Sequence, residues 1–159
     1  MSEQPFRILV LCTGNSARSQ IAEALLTARG GARIAAASAG SRPAARVNAH
    51  AVDVLRAHGI EWSDRVPKSI DDLHGQPFDL VITVCDNARD ACPFYPGAAA
   101  QVHWGLPDPA EETDPDAARR AFDATYDALS ARIEALLALP LDTMEPATLR
   151  SAARAIHER

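Results

Sequence analysis

The chain has 159 residues, of which 47% are apolar, and it carries a formal net charge of −5. This length and apolar content are enough for one domain with a single core. The acidic balance argues against a general affinity for nucleic acid or for an anionic membrane, because either requires clustered Lys and Arg. Any anion that the protein binds must therefore be held by a local site.

The sequence begins with MSEQPFRILV, which lacks the basic and apolar regions of a secretory signal, and it contains no apolar run of membrane-spanning length. We therefore expect a soluble cytoplasmic protein. Its three cysteines are too few for a disulfide scaffold. In a reducing compartment they are either reactive thiols or small buried residues, and their positions must decide between the two.

Apolar runs of strand length alternate with segments of helical periodicity along the chain. Strands are predicted at residues 6–11, 34–37, 78–84 and, more weakly, 101–104, and helices around 21–28, 47–59 and 115–139. This alternation predicts an α/β fold, a parallel sheet with helices on both faces. We expect one main domain over residues 1–140, and a tail, 141–159, that forms a short surface helix beyond it.

The segment CTGNSARS, residues 12–19, follows the first predicted strand directly. In an open parallel sheet this position lies beyond the carboxyl end of a strand, where the N-terminus of the next helix favours an anion. Small or turn-tolerant residues there can turn their backbone N–H groups inward as an anion-binding nest. The residues with this property are Thr13, Gly14, Asn15, Ser16 and Ala17.

Cys12 and Arg18 stand at the two ends of this loop. Arg18 provides a planar pair of donors that suits a tetrahedral oxyanion. The same positive surroundings favour the thiolate of Cys12, and Ser19 could donate a further hydrogen bond to its sulfur. We interpret the loop as a nucleophile beneath an oxyanion cradle. The alternative is a buried cysteine at a strand end and a surface arginine at a helix start.

Two further cysteines, Cys85 and Cys92, are separated by six residues after the third predicted strand. Parallel strands end at one edge of a sheet, so we expect both cysteines on the same face as Cys12. The residues between them could loosen enough to bring the two α-carbons within about 4.4 to 6.8 Å, as a disulfide requires. The spacing does not suit structural zinc, because no second close pair of Cys or His ligands exists.

Asp108 lies in GLPDPA, after the last predicted strand and before the third helix. A carboxyl group there could protonate an oxygen that leaves the central atom of a bound oxyanion. Asp114 and Asp116 offer similar chemistry nearby. His103 and Trp104 are expected to pack against the end of the strand rather than to touch a substrate.

Three segments together resemble a known family. CTGNSARS resembles the signature loop of the low-molecular-weight protein tyrosine phosphatase superfamily, and VCDNARDACP and HWGLPDPA resemble motifs of its thioredoxin-coupled arsenate reductase branch. The resemblance covers about residues 6–139. It implies a four-stranded parallel sheet with the first strand central, and it favours Asp108 as the catalytic carboxyl group.

The implied reaction is reduction of arsenate to arsenite, with phosphate or sulfate as competing oxyanions. Cys12 would attack arsenic, Cys85 would attack the sulfur of Cys12, and Cys92 would attack Cys85. Three cysteines are the minimum for this relay. Thioredoxin is the implied reductant, although glutaredoxin or glutathione could reduce the same disulfide, and no cofactor is expected.

Two other functions fit the loop. A protein tyrosine phosphatase would use Cys12, Arg18 and Asp108 but would not need Cys85 and Cys92, and DPAEET lacks the tyrosine pair that phosphatases of this fold often carry after Asp-Pro. A non-catalytic, redox-sensitive module would bind arsenate or phosphate without turnover.

Reductases of this branch can also hold a potassium ion near the loop. The matching positions here are Asn15, Glu23 and Ser38, whereas the fourth, usually acidic, aligns best with Lys68, the single lysine of the chain. We therefore assign no metal site. Lys68 either supplies the positive charge itself or is a solvated residue.

Overall fold

The structure is a computed structural model that describes residues 4–85 and 94–157. Within these residues the chain forms four strands and four α-helices. The strands are β1 (Phe6–Cys12), β2 (Ile34–Gly40), β3 (Phe78–Thr83) and β4 (Ala98–His103); the helices are α1 (Arg18–Gly30), α2 (Ala49–Ala57), α3 (Pro115–Leu137) and α4 (Pro146–His157). Their order along the chain is β1, α1, β2, α2, β3, β4, α3 and α4. No helix of this described part is both long and apolar enough to cross a membrane.

The four strands form one parallel sheet in the order β2-β1-β3-β4. β1 is flanked on both sides, and its residues from Ile8 to Leu11 are fully buried. A strand that is buried on both faces has a continuous apolar sequence, which is why the pattern identifies it so clearly. The predicted single domain with a four-stranded parallel sheet and a central first strand is confirmed.

Side chains alternate along β1 between two apolar layers, because successive residues of a strand point to opposite faces. Ile8 and Val10 belong to the larger layer, which also contains buried residues of all four α-helices. Leu9 and Leu11 belong to the smaller layer, where a short helical turn, Ile70–Leu73, and Tyr95 cover the described part of the other face. The sheet is thus fixed from both sides, and its carboxyl edge is left for the site.

The chain after Pro140 differs from the expectation of a surface helix beyond the domain. It forms α4 as a helix, but α4 packs against β4, and Leu149, Ala153 and Ile156 belong to the larger apolar layer. The indole Nε1 of Trp104 donates to the carbonyl oxygen of Ala153 at 2.9 Å. The three apolar residues recur at helical spacing, so they mark a buried face that the sequence pattern already contained.

Replacing Leu149 by Ala should therefore destabilise the domain. The side chain is 2% exposed, and a buried Leu→Ala change costs about 2 to 5 kcal/mol. Arg150→Ala, at the exposed neighbouring position, is the control and should change stability by less than about 0.5 kcal/mol. Urea unfolding followed by circular dichroism measures both. An unchanged midpoint for Leu149→Ala would show that α4 is not part of the cooperative domain.

Candidate active site

The loop between β1 and α1 turns its carbonyl oxygens outward. Five consecutive carbonyl oxygens, those of residues 12–16, have partners outside the loop. Four of them accept from backbone N–H groups of the segment 41–48: Cys12 from Ser41 at 3.3 Å, Thr13 from Arg42 at 2.9 Å, Gly14 from Ala44 at 2.9 Å and Ser16 from Asn48 at 2.8 Å. The carbonyl oxygen of Asn15 accepts from Gln20 Nε2 at 3.1 Å. In a trans peptide the C=O and the following N–H point in opposite directions, so the N–H groups of residues 13–17 face inward. Such a concave set of donors suits an oxyanion.

Cys12 lies at the base of this concave surface, at the carboxyl end of β1, and is 2% exposed. Its sulfur accepts a hydrogen bond from the N–H of Asn15 at 3.3 Å and lies 2.9 Å from the hydroxyl of Ser19. Helix α1 begins directly after the loop, and its N-cap residue, Ala17, has no polar side chain with which to cap it. The free N–H groups of that helix end add to the positive environment of the sulfur.

Asn15 holds the loop together from within. It is fully buried and has a positive φ of 52°, which asparagine tolerates better than most residues. Its side-chain oxygen accepts from the backbone N–H of Lys68 at 2.8 Å and from Gln20 Nε2 at 3.0 Å. Its Nδ2 donates to the hydroxyl oxygens of Ser19 and Ser38, at 2.8 and 2.9 Å. All the hydrogen-bonding groups of this amide are therefore in use.

Gly40, the last residue of β2, allows the loop to lie this close to the sheet. A Cβ atom at this position would lie 2.4 Å from the carbonyl oxygen of Thr13 and 3.0 Å from the backbone nitrogen of Asn15. Gly40 is not among the site residues predicted from the sequence. The available signal was a glycine at the end of the second strand, opposite Cys12 in the parallel register.

Arg18 connects the loop to the two neighbouring strand ends. Its NH1 group donates to the carbonyl oxygens of Val84 and Leu106, at 3.3 and 3.0 Å, and its NH2 lies 3.8 Å from a carboxylate oxygen of Asp108. Its Nε is buried and has no hydrogen-bond partner among the described residues. Buried donors are rarely left unpaired, so this nitrogen is suited to receive an oxygen of a bound anion.

The remaining residues of the predicted site lie at the same edge of the sheet where the structure describes them. Cys85 is buried and directly follows Val84, whose carbonyl contacts Arg18. Asp108 is about one-third exposed and accepts from the N–H of Ala110 at 3.0 Å. Cys92 lies outside the described residues.

The two alternative acidic residues do not share this position. Asp114 caps the N-terminus of α3 by accepting from Ala117, and Asp116 pairs with Arg119 in the first turn. Both carboxyl groups are thus engaged in starting a helix. Asp108 is the one of the three that the described contacts place beside Arg18.

His103 and Trp104 pack at the end of β4. Trp104 is buried against α4, and the Nδ1 of His103 lies 2.8 Å from the hydroxyl of Thr83. Burial lowers the pKa of His103 below its ordinary value, which favours the neutral ring.

A buried carboxylate and two cations lie behind the loop. Glu23 of α1 accepts a short hydrogen bond, 2.6 Å, from the hydroxyl of Ser38. Arg65 NH1 lies 3.3 Å from one oxygen of Glu23, and Lys68 Nζ lies 3.6 Å from the other. The Glu23 side chain is only 6% exposed, and a carboxylate that far from water needs such partners.

This arrangement does not fit a potassium ion. The ammonium group of Lys68 already neutralises Glu23, the guanidinium of Arg65 contacts its other oxygen, and the Asn15 side-chain oxygen accepts two N–H groups. An ion bound by the same oxygens would have to displace these donors and lie next to two positive charges. Within the described residues, no group of three or more His, Cys, Asp or Glu could hold a metal.

Residues 7–147 match the low molecular weight phosphotyrosine protein phosphatase family. The chain belongs to that family. It is 39% identical over 128 residues to an arsenate reductase of Halalkalibacterium halodurans, a match that covers 80% of this chain and 91% of that reductase. The predicted family is therefore confirmed.

Solved structures of this family share the fold. An arsenate reductase in the phosphate-binding state has a TM-score of 0.73 and 26% identity over 84% of this chain and 97% of that one. A thioredoxin-dependent arsenate reductase of Corynebacterium glutamicum has a TM-score of 0.58 and 30% identity, covering 84% and 64% of the two chains. A tyrosine phosphatase of Erwinia amylovora, with a TM-score of 0.60 and 26% identity over 80% and 88%, has the same fold.

The contacts of Lys68 and Arg65 with Glu23 predict how the protein responds to potassium. Exchange of potassium for sodium at fixed ionic strength should leave the activity and the melting temperature unchanged, because Lys68 provides a tethered charge. Lys68→Ala should lower both and make the protein respond to potassium, with a loss of about 2 to 4 °C for each kcal/mol of stability.

Arg56→Ala is the control for that experiment, since Arg56 forms its ion pairs with Asp53 and Glu61 on the surface. It removes a positive charge away from the loop and should leave the activity unchanged. A potassium-specific rise in the melting temperature of the unmodified protein would contradict the role of Lys68.

Proposed function

We propose that this protein reduces arsenate to arsenite through a relay of its three cysteines. The observation that carries the proposal is the position of Cys12 beneath the inward N–H groups of residues 13–17. Cys85 is buried nearby, and the carbonyl oxygen of the residue before it, Val84, accepts a hydrogen bond from Arg18 of the same site. An arsenate reductase of this family with 39% identity supports the choice of arsenate.

The first step forms a bond between the sulfur of Cys12 and arsenic(V). The Cys12 thiolate attacks arsenic while the loop N–H groups and the Nε of Arg18, which has no partner among the described residues, hold the other oxygens. One arsenate oxygen takes up protons and leaves as water. We assign the delivery of a proton to this oxygen to Asp108, and its carboxylate lying 3.8 Å from Arg18 NH2 supports the assignment.

The second step reduces arsenic. The Cys85 thiolate attacks the sulfur of Cys12, the electron pair of the sulfur–arsenic bond passes to arsenic, and arsenite leaves as arsenic(III). The two electrons come from the thiolates, which are oxidised to a disulfide between Cys12 and Cys85. Attack of the Cys92 thiolate on Cys85 then releases the Cys12 thiolate and leaves a Cys85–Cys92 disulfide.

An external dithiol completes the cycle by reducing the Cys85–Cys92 disulfide. We propose thioredoxin for this role, since a thioredoxin-dependent arsenate reductase with 30% identity has the same fold. Phosphate and sulfate are expected to compete for the loop because they have the same tetrahedral shape.

A protein tyrosine phosphatase is the second candidate, and the shared fold with the Erwinia amylovora phosphatase favours it. It would use the same loop, Arg18 and Asp108. It would leave Cys85 without a catalytic role, although this cysteine is buried next to the residue that Arg18 contacts.

The decisive experiment couples arsenate to thioredoxin, thioredoxin reductase and NADPH and follows the nicotinamide absorbance. We expect NADPH consumption that depends on arsenate. Cys12→Ser is the matched control and should lower the rate about a thousandfold or more, because the nucleophile is removed. Hydrolysis of an aryl phosphate without arsenate-dependent oxidation of any thiol reductant would support the phosphatase instead.

The order of the relay can be tested by trapping. After one equivalent of arsenate, Cys92→Ser should accumulate a Cys12–Cys85 disulfide, whereas Cys85→Ser should stop before arsenite is released or require an added small thiol. Peptide mapping by mass spectrometry identifies the pairs. A Cys12–Cys92 disulfide as the first product of the unmodified protein would contradict the order.

A further inference from the structure

The loop is held by a chain of hydrogen bonds that reaches beyond its own residues, to Trp62. The indole Nε1 of Trp62 donates to the side-chain oxygen of Gln20 at 2.8 Å. The Nε2 of Gln20 donates to the side-chain oxygen of Asn15, whose Nδ2 donates to Ser19, and Ser19 lies 2.9 Å from the sulfur of Cys12. Gln20, Asn15 and Ser19 are all fully buried.

The donors at the ends of this series of hydrogen bonds determine which group donates and which accepts along it. An indole N–H and a backbone N–H can only donate, so Trp62 must face the oxygen of Gln20, and Lys68 must face the oxygen of Asn15. The NH2 groups of both amides then point towards the loop. An amide flipped at either residue would place two donors against each other among buried groups.

The same direction decides what Ser19 does. Its oxygen accepts from Nδ2 of Asn15, and its hydroxyl proton remains for the sulfur of Cys12 when that sulfur is a thiolate, which has no proton to donate. A hydroxyl that donates to sulfur stabilises the thiolate that attacks an oxyanion. The orientation of Ser19 therefore depends on Asn15, and that of Asn15 depends on Gln20 and Trp62.

Arg65 connects Trp62 to Glu23, the buried carboxylate behind the loop. Its guanidinium lies 3.8 Å from the centre of the Trp62 ring, and its NH1 contacts Glu23. Glu23 accepts from Ser38, whose oxygen in turn accepts from the second hydrogen of Asn15 Nδ2. Both hydrogens of the Asn15 amide thus have buried hydroxyl acceptors, Ser19 and Ser38. Arg65 contacts both Trp62 and Glu23, so it joins the hydrogen bonds that lead to each of them.

We propose that Trp62 and Gln20 are positioning residues for the nucleophile, which act by orienting the amide of Asn15 and through it the hydroxyl of Ser19 towards Cys12. The proposal deepens the proposed function and rests on it, since it concerns the same thiol. The effect is present in the free protein, however, and needs no arsenate to be tested.

The test uses a Cys85→Ser/Cys92→Ser background, in which Cys12 is the only cysteine of the chain. Trp62→Phe keeps a ring beneath Arg65 but removes the N–H. At neutral pH it should lower the rate of Cys12 alkylation by iodoacetamide and the ultraviolet thiolate absorbance. The expected decrease in rate is about 2- to 10-fold, the effect of one hydrogen bond.

Trp104→Phe is the matched control. Trp104 is as deeply buried and also donates its indole N–H, but to the carbonyl oxygen of Ala153 in α4. It should lower the stability to urea without changing the alkylation rate or the absorbance. An equal loss of reactivity in the two variants would show general loosening and overturn the proposal.

Gln20→Leu provides a second route if Trp62→Phe does not fold. It should reduce the reactivity of Cys12 at least as much, and adding Trp62→Phe to it should cause no further decrease, because both act through one amide. Additive effects, or a folded Gln20→Leu variant with full reactivity, would refute the positioning role. A protein that shows these effects but does not reduce arsenate would refute the reductase function alone.

Discussion

The site depends on one constraint of the backbone: a loop that turns five N–H groups inward must find partners elsewhere for the five carbonyl groups of the same peptides. In this protein the segment 41–48 supplies four of the donors, and the side chain of Gln20 supplies the fifth. The anion-binding face thus exists because the opposite face of the same peptides is fully paired. Gly40 makes this possible because it has no side chain, so the carbonyl group of Thr13 can pack directly against the end of β2.

The parallel sheet brings distant parts of the sequence to one edge. β1, β3 and β4 end at the same edge of the sheet, so Cys12 at the end of β1 lies near the loops that carry Cys85 and Asp108 after β3 and β4. Arg18 then joins these loops by donating to Val84 and Leu106. An arginine that bridges three loops does more than hold an anion, because its two carbonyl contacts help to fix the distance between Cys12 and Cys85.

Local composition made some parts of the molecule predictable, whereas contacts between distant residues could not be anticipated. The apolar run of β1 and the Asp-Pro start of α3 each have a recognisable pattern, and the structure contains both. Gln20 and Trp62 gave no such signal, because a glutamine in a helix is normally a polar surface residue and a tryptophan is normally a core residue. Their roles arise from a contact between positions 42 residues apart. The spacing of its apolar residues indicated that α4 has a buried face, but it did not indicate that this face packs against β4.

This acidic chain forms a local site whose hydrogen-bond donors favour an anion. The chain has a net charge of −5, yet the concave loop is formed by N–H groups, a helix N-terminus and Arg18. None of the backbone donors carries a formal charge, so they attract an anion without raising the net charge. Behind the loop the buried carboxylate of Glu23 has Lys68 and Arg65 as partners. Because these two cations are part of the chain, they need not be captured from solution, and the negative charge of Glu23 is balanced before any oxyanion arrives.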